Sequence, residues 1–150
     1  MKKLNEEIDA SQAGYVKHRG TRDHIFNLQT TINKCLEMQQ EVFICFVDYS
    51  KAFDNARYRQ LWPIMLKMGF PPHIVKLIAS LYKDQQSAVK LKCGTTDWFN
   101  IGKGVRQGCI LSPALFNIYT ENIMREVMDE EKSKNYNLLN VGGEVLSNLR

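Results

Sequence analysis

Apolar positions early in the chain fall at Ile25, Leu28, Ile32 and Cys35, spacings of three and four that predict a helix facing a core. Thr21 is placed to cap its start, and the pattern runs out near Gln39. Residues 42–48, VFICFVD, break that period. They are too short for a helix and uniformly apolar, β-branched or aromatic, which predicts a central strand covered on both faces. LWPIMLKM returns to helical spacing and stops at Gly69. Pro71 and Pro72 then open a second helix with Ile74, Ile78 and Leu81 on one side, so a helix pair is expected. Residues 86–93 alternate, and GTTD turns the chain back into WFNIG, the pattern of a β-hairpin. Ser112 followed by Pro113 is a helix start, the hydroxyl suited to capping free amides, and Phe116, Tyr119, Ile123 and Val127 continue at helical spacing into a solvated end, MDEEKSKN. LLNVGGEVLSNL predicts two short β segments around Gly142 and Gly143, a pair suited to the positive φ of a tight turn.

These elements make an α/β (α+β) chain, and its 150 residues, 44% of them hydrophobic, are enough for one domain with a core that needs neither disulfides nor a metal. The four cysteines, Cys35, Cys45, Cys93 and Cys109, are far apart, form no CxxC pair and sit mostly among apolar neighbours that would bury them. That pattern argues against a zinc site and for an intracellular chain, without separating nucleus from cytoplasm. No apolar run approaches the ~18 residues of a membrane span, and MKKLNEEIDA lacks the apolar centre of a signal peptide. No membrane partner is expected, and oligomeric state is left open. A net charge of +4 permits nucleic acid without demanding it. The cations gather in KHRGTR (17–22), KAFDNARYR (51–59) and GKGVR (102–106). Each alone reads as a solvated loop; together they could line one phosphate-binding face.

The apolar run ends in Asp48, and a second carboxylate, Asp54, follows six positions later. A carboxylate at the end of a buried strand is held rigidly and can coordinate a hard cation through oxygen. On the residues alone, Asp48 reads equally as the start of a turn, and Asp54 as the cap of the helix carrying Leu61 and Met65.

CFVDYSKAFD (45–54) resembles the first carboxylate motif of the reverse transcriptases of non-LTR (LINE-type) retrotransposons. The resemblance implies that Asp48 is catalytic, binding both metals (Mg²⁺ or Mn²⁺), that Phe53 guards the sugar of the incoming nucleotide, and that Tyr49 shares the nucleotide pocket. GVRQGCILSPALFNIYTENIM (104–124) resembles the next motif, and implies that Gln107 and Gly108 pack beneath the nascent base pair. QAGYVKHRGTRDHI (12–25) resembles the loop and Arg-Gly-Thr turn that open a fingers helix. The fold implied is an incomplete polymerase palm with part of the fingers, a central antiparallel-type sheet packed on helices, in a single incomplete domain over 1–150. The partners implied are an RNA template, a DNA primer and a dNTP. Lys51, Arg106 and Arg19 are candidate nucleic-acid phosphate contacts.

The chain departs from the family where Val16 and His18 replace the usual basic and small residues, and it contains neither a Tyr-Ala-Asp-Asp run nor any adjacent Asp-Asp pair. A fragment with little or no polymerase activity of its own is therefore expected. The alternative is a noncatalytic retroelement remnant that binds nucleic acid or protein weakly. A two-metal nuclease is the weaker third reading, since His18, His24 and His73 stand apart from one another and from Asp48.

Overall fold

The first amphipathic stretch forms helix α1, Thr21–Glu37. The computed structural model describes residues 7–134, 139–141 and 144–146. They divide into two units, residues 1–48 with 123–150, and residues 49–122.

In the first unit, Gly20 rather than Thr21 stands before α1, and no side chain caps its free amides. Asp23 in the first turn and Lys34 in the last complement the helix dipole. The expected core face is graded along the helix: Cys35 is buried, Leu28 and Ile32 are half-buried, and Ile25 is 56% exposed. The loop before it packs Ile8, Ala13 and Val16. Strands β5 (Leu139–Val141) and β6 (Glu144–Leu146) pair antiparallel as expected of a hairpin; the Gly142–Gly143 turn lies outside the described residues.

The expectation of a buried central strand at 42–48 is overturned. These residues belong to no strand, and Phe43 and Phe46 are 93% and 81% exposed. A strand is made by its partners: an apolar run supplies propensity, but none of the described strands pairs with this one. Cys45 is therefore exposed, as is Cys93, and of the four free thiols only Cys35 is buried.

In the second unit, α2 (Tyr58–Lys67) ends at Met68. Gly69 adopts φ 75°, its N–H donating to Leu66 O at 2.9 Å while that of Phe70 donates to Met65 O at 3.0 Å. This is the Schellman stop that a glycine allows, because a Cβ would be strained at that φ. Helix α3 (Pro72–Leu81) begins on its proline, where a missing N–H costs nothing, and packs on α2. Leu61, Met65 and Val75 are buried at the heart of this unit. The inward face of α3 runs through Ile74, Val75, Ile78 and Ala79, turned away from the far end of the expected stripe, where Leu81 is half-exposed.

The hairpin comprises β1 (Gln86–Ser87) paired with β4 (Phe99–Asn100), and β2 (Lys90–Leu91) paired with β3 (Gly94–Thr95). Between the pairs Ser87↔Phe99 and Lys90↔Thr95, one arm carries two residues and the other three, a β-bulge at Thr96–Trp98. Helix α4 (Ser112–Lys134) starts at Ser112, which is fully buried inside the first turn rather than capping it. Leu115 and Ile118 are buried, while Val127, expected on the core face, is 44% exposed. The fold is thus mixed α and β, with three separate two-stranded antiparallel sheets among the described residues in place of one central sheet.

Candidate functional site

The chain turns sharply at Lys51, whose φ of 48° and ψ of 51° lie in the left-handed region. Its carbonyl accepts the N–H of Asp54 at 2.9 Å and of Asn55 at 3.1 Å, closing a 3-10 turn over Ala52–Asn55. The Asn55 amide bonds back to Ser50 O at 2.7 Å. This turn brings two aromatic rings onto one platform: Phe53 lies 5.1 Å from Phe116 of α4, and Tyr49 meets the same ring edge-on at 6.1 Å.

Residues 103–107 are stitched along this turn. Gly104 N–H donates to Ala56 O and Val105 N–H to Phe53 O, both at 2.8 Å. Tyr58 Oη donates to Gly104 O at 2.6 Å, and Lys103 Nζ to Asn55 Oδ1 at 2.8 Å. The Gln107 amide reaches Asp54 Oδ1 at 3.4 Å, the longest bond of the set. Gly104, at φ 96°, is what permits the approach: a Cβ there would stand 3.1 Å from Cα and O of Asp54, too close to backbone that cannot swing aside. Gly108 is a different case, since at φ 80° it has nothing within 4 Å of where a Cβ would be. It is a left-handed turn residue beside open space.

Behind this loop Tyr58, Trp62 and Tyr82 pack ring on ring, with centroid separations of 5.4 to 5.8 Å. The Arg106 guanidinium lies over Tyr82 at 5.6 Å and donates to Leu81 O at 2.8 Å, neutralising a carbonyl at the end of α3. Burial, helped by the neighbouring Tyr82 and opposed by Arg106, raises the Tyr58 phenol above its ordinary value. The Cys109 thiol is lowered, chiefly by the hydrogen bond that the Leu111 backbone offers its thiolate.

The turn and the loop therefore bring together Phe53, Asp54 and Gln107, with Tyr49 joined through Phe116. Asp54 does not cap α2, because Arg57 stands at that position without a side-chain cap. Its carboxylate receives the Gln107 amide instead. Lys51 is exposed on the turn. Asp48 and Arg19 belong to the other unit. Asp48 is exposed, and Arg19 donates to the carbonyls of Asp9 and Gln12 at 2.5 and 2.9 Å, holding the loop before α1. Asp48 has the oxygen donor that a hard cation takes, yet the described residues contain no group of three His, Cys, Asp or Glu able to hold a metal. By themselves they do not make a Mg²⁺ site. Phe116 and Tyr58 carry no mark of this role in the sequence. The only signal is the second glycine of GKGVR, whose task depends on what it packs against. No helix among the described residues is long and apolar enough to cross a membrane.

The family model described as "Reverse transcriptase (RNA-dependent DNA polymerase)" matches residues 1–139. The chain is 23% identical over 120 residues to the "Retrovirus-related Pol polyprotein from type-1 retrotransposable element R2" of Nasonia vitripennis, covering 80% of this chain and 12% of the relative. It is 25% identical over 134 residues to the type-2 R2DM polyprotein of Drosophila melanogaster, covering 88% and 13%. To the "RNA-directed DNA polymerase from mobile element jockey" of Drosophila funebris it is 26% identical over 121 residues, covering 81% and 13%. The chain spans about an eighth of the length of these relatives.

Proposed function

The chain belongs to the reverse transcriptase (RNA-dependent DNA polymerase) family, of the non-LTR retrotransposon type, and on that premise we propose that it supplies the nucleotide-facing part of an RNA-directed DNA polymerase. The observation that carries this reading is the stitching of the 53–58 segment to the 103–107 segment, two motifs some fifty residues apart in the chain. In polymerisation the incoming nucleotide must be held against the primer end within a fraction of an ångström, and preorganised backbone does this at little cost during the reaction.

Phe53, backed by Phe116, faces the sugar, and Tyr49 closes the same side. Gln107 sits beneath the nascent base pair with its amide oriented by Asp54, and Gly108 leaves the backbone free to approach a flat base pair. Lys51, exposed on the turn, is a candidate phosphate contact; Arg106 and Arg19, each within its own unit, keep that role only through guanidinium N–H groups not already spent on Leu81 O and on the carbonyls of Asp9 and Gln12. Divalent Mg²⁺ or Mn²⁺ neutralises charge on the reacting oxygens in two-metal nucleotidyl transfer. Asp48 offers one ligand of the right chemistry, and the described residues do not complete a site around it.

The test is a photo-crosslinking map. A DNA primer carrying 4-thiothymidine at its 3′ end, annealed to RNA, is irradiated with the 150-residue chain, and adducts are located by mass spectrometry. Adducts within 49–53 and 106–109 are expected. Adducts confined to other segments overturn the assignment. In parallel, Mn²⁺ should broaden the NMR resonances flanking Asp48 in the wild-type chain and not in Asp48→Asn; equal broadening in both removes Asp48 from the metal site.

A further inference from the structure

We propose that Cys109 is a reversible thiol-modification site, at which its sulfur exchanges with a small anionic disulfide of the glutathione class to form a mixed disulfide. The exchange involves no nucleic acid, so it stands or falls separately from the proposed function.

Placement is the first support. Cys109 follows Gly108, which has open space where a Cβ would stand, and precedes Ile110, which is 86% exposed. The thiol between them is half-buried, open to a small molecule from solvent. Its backbone is fixed: Cys109 N–H donates to Arg106 O at 3.2 Å, and Ser112 N–H donates to Cys109 O at 3.1 Å. These bonds hold the residue in a tight turn against the start of α4.

The second support is a buried hydroxyl in want of an acceptor. Ser112 is 0% exposed, and among the described residues its Oγ has no hydrogen-bond partner of ordinary geometry. Hydroxyls are seldom buried that way, because the hydration they lose is not recovered. The Ser112 hydroxyl is turned to the Cys109 sulfur, and a thiolate there supplies the acceptor it lacks. The Leu111 N–H does most to hold the Cys109 thiol below its ordinary value; burial opposes it, and the Ser112 hydroxyl, the Ser112 N–H and the charge of Arg106 reinforce it. Three donors thus converge on one sulfur, and the thiolate they favour is the nucleophile of disulfide exchange.

Charge selects the partner. Residues 101–111 carry Lys103 and Arg106 and no carboxylate, against Asp54 across the turn, which accepts the Gln107 amide. Glutathione disulfide has more carboxylates than ammonium groups at neutral pH, so this loop attracts it and repels a cationic disulfide. In the exchange Cys109 gives its proton to water, and its thiolate attacks one sulfur of the disulfide. The new S–S bond forms as the old one breaks, and the departing glutathione thiolate takes up a proton. The Cys109 sulfur is oxidised and the departing sulfur reduced; excess reduced glutathione runs the step backwards.

The reduced 150-residue chain is mixed with glutathione disulfide at pH 7, folded or in urea, and quenched with acid at intervals. Peptide mass spectrometry gives a separate rate for each cysteine. Cys45 and Cys93 are exposed and serve as references, and protection of buried Cys35 reports that the chain is folded. The folded-to-unfolded rate ratio at Cys109 should exceed those at Cys45 and Cys93 by at least about threefold, since nucleophilicity falls as a thiolate is stabilised and only part of the gain in thiolate reaches the rate. That ratio should be smaller with the cationic disulfide cystamine. Ser112→Ala should lower the ratio at Cys109 and leave Cys45 and Cys93 alone, without lowering the urea midpoint, because the deleted hydroxyl has no structural partner to lose. Three results would each overturn the proposal: a wild-type Cys109 ratio no larger than those of the exposed cysteines, an equal or larger ratio with cystamine, or an unchanged ratio in folded Ser112→Ala. The first two need no variant, so the proposal is decided even if Ser112→Ala fails to fold.

Discussion

Replacing Gly104 by alanine tests the stitching on which the candidate site depends. At φ 96° an L-residue is strained, at a cost of about 1–2 kcal/mol. The added Cβ would also stand 3.1 Å from Cα and O of Asp54, which are backbone atoms, so relief requires the loop to move away from the turn. That movement stretches the Gly104–Ala56 and Val105–Phe53 hydrogen bonds, now 2.8 Å, each worth about 1 kcal/mol net, and forfeits part of both. Alanine lowers the entropy of the unfolded chain, which offsets about half a kcal/mol. The expected loss is about 2–3 kcal/mol. Two neighbouring glycines separate the contributions. Gly108, at φ 80° with nothing within 4 Å of its would-be Cβ, should lose about 1 kcal/mol on substitution by alanine, from backbone strain alone. Gly102, with no positive φ and open space around it, should lose nothing and serves as the baseline. Urea unfolding followed by far-UV circular dichroism measures all three. With a slope of about 1–1.5 kcal/mol per molar urea, the Gly104 and Gly108 variants should differ in midpoint by roughly 1 M or more. If Gly104→Ala falls within about 0.5 kcal/mol of Gly108→Ala, the close approach to Asp54 contributes nothing and the loop is not held to the turn in the way described.

Two further expectations concern ionisation. The folded-state value of the Tyr58 phenol is raised, so its contribution to stability is present in full below the ordinary phenol value of about 10 and is lost as pH rises through the folded value. Urea midpoints should therefore fall from pH 9 to pH 11, and Tyr58→Phe, which cannot ionise, should flatten that part of the decline; an identical decline in the variant would contradict the assignment. The lowered Cys109 thiol should be alkylated by iodoacetamide with a half-maximal pH below that of the same residue in the urea-unfolded chain, measured by mass spectrometry of its peptide. A midpoint at or above that value would refute the thiolate's hydrogen bond from Leu111.

Much of this molecule is legible in its residues because the controlling interactions are local. The stop at Gly69, the start at Pro72, the hairpin over 86–100 and the pairing of 139–141 with 144–146 each depend on neighbours a few positions away, which backbone sterics and side-chain period already specify. The motifs around Asp48 and Gln107 are likewise readable, and they carry the resemblance to the family. What sequence could not decide is what each segment meets. VFICFV has every local mark of a buried strand, yet strand formation needs partners supplied from elsewhere, and among the described residues they are not there. Asp54 reads as a helix cap because capping is local, whereas its carboxylate meets an amide more than fifty positions away. Phe116 as the platform for Tyr49 and Phe53, and Gly104 as the point where two segments touch, follow from packing between distant parts of the chain. Local propensity is additive along the sequence; contact between distant segments depends on the position of the whole backbone, and only the tertiary structure decides it.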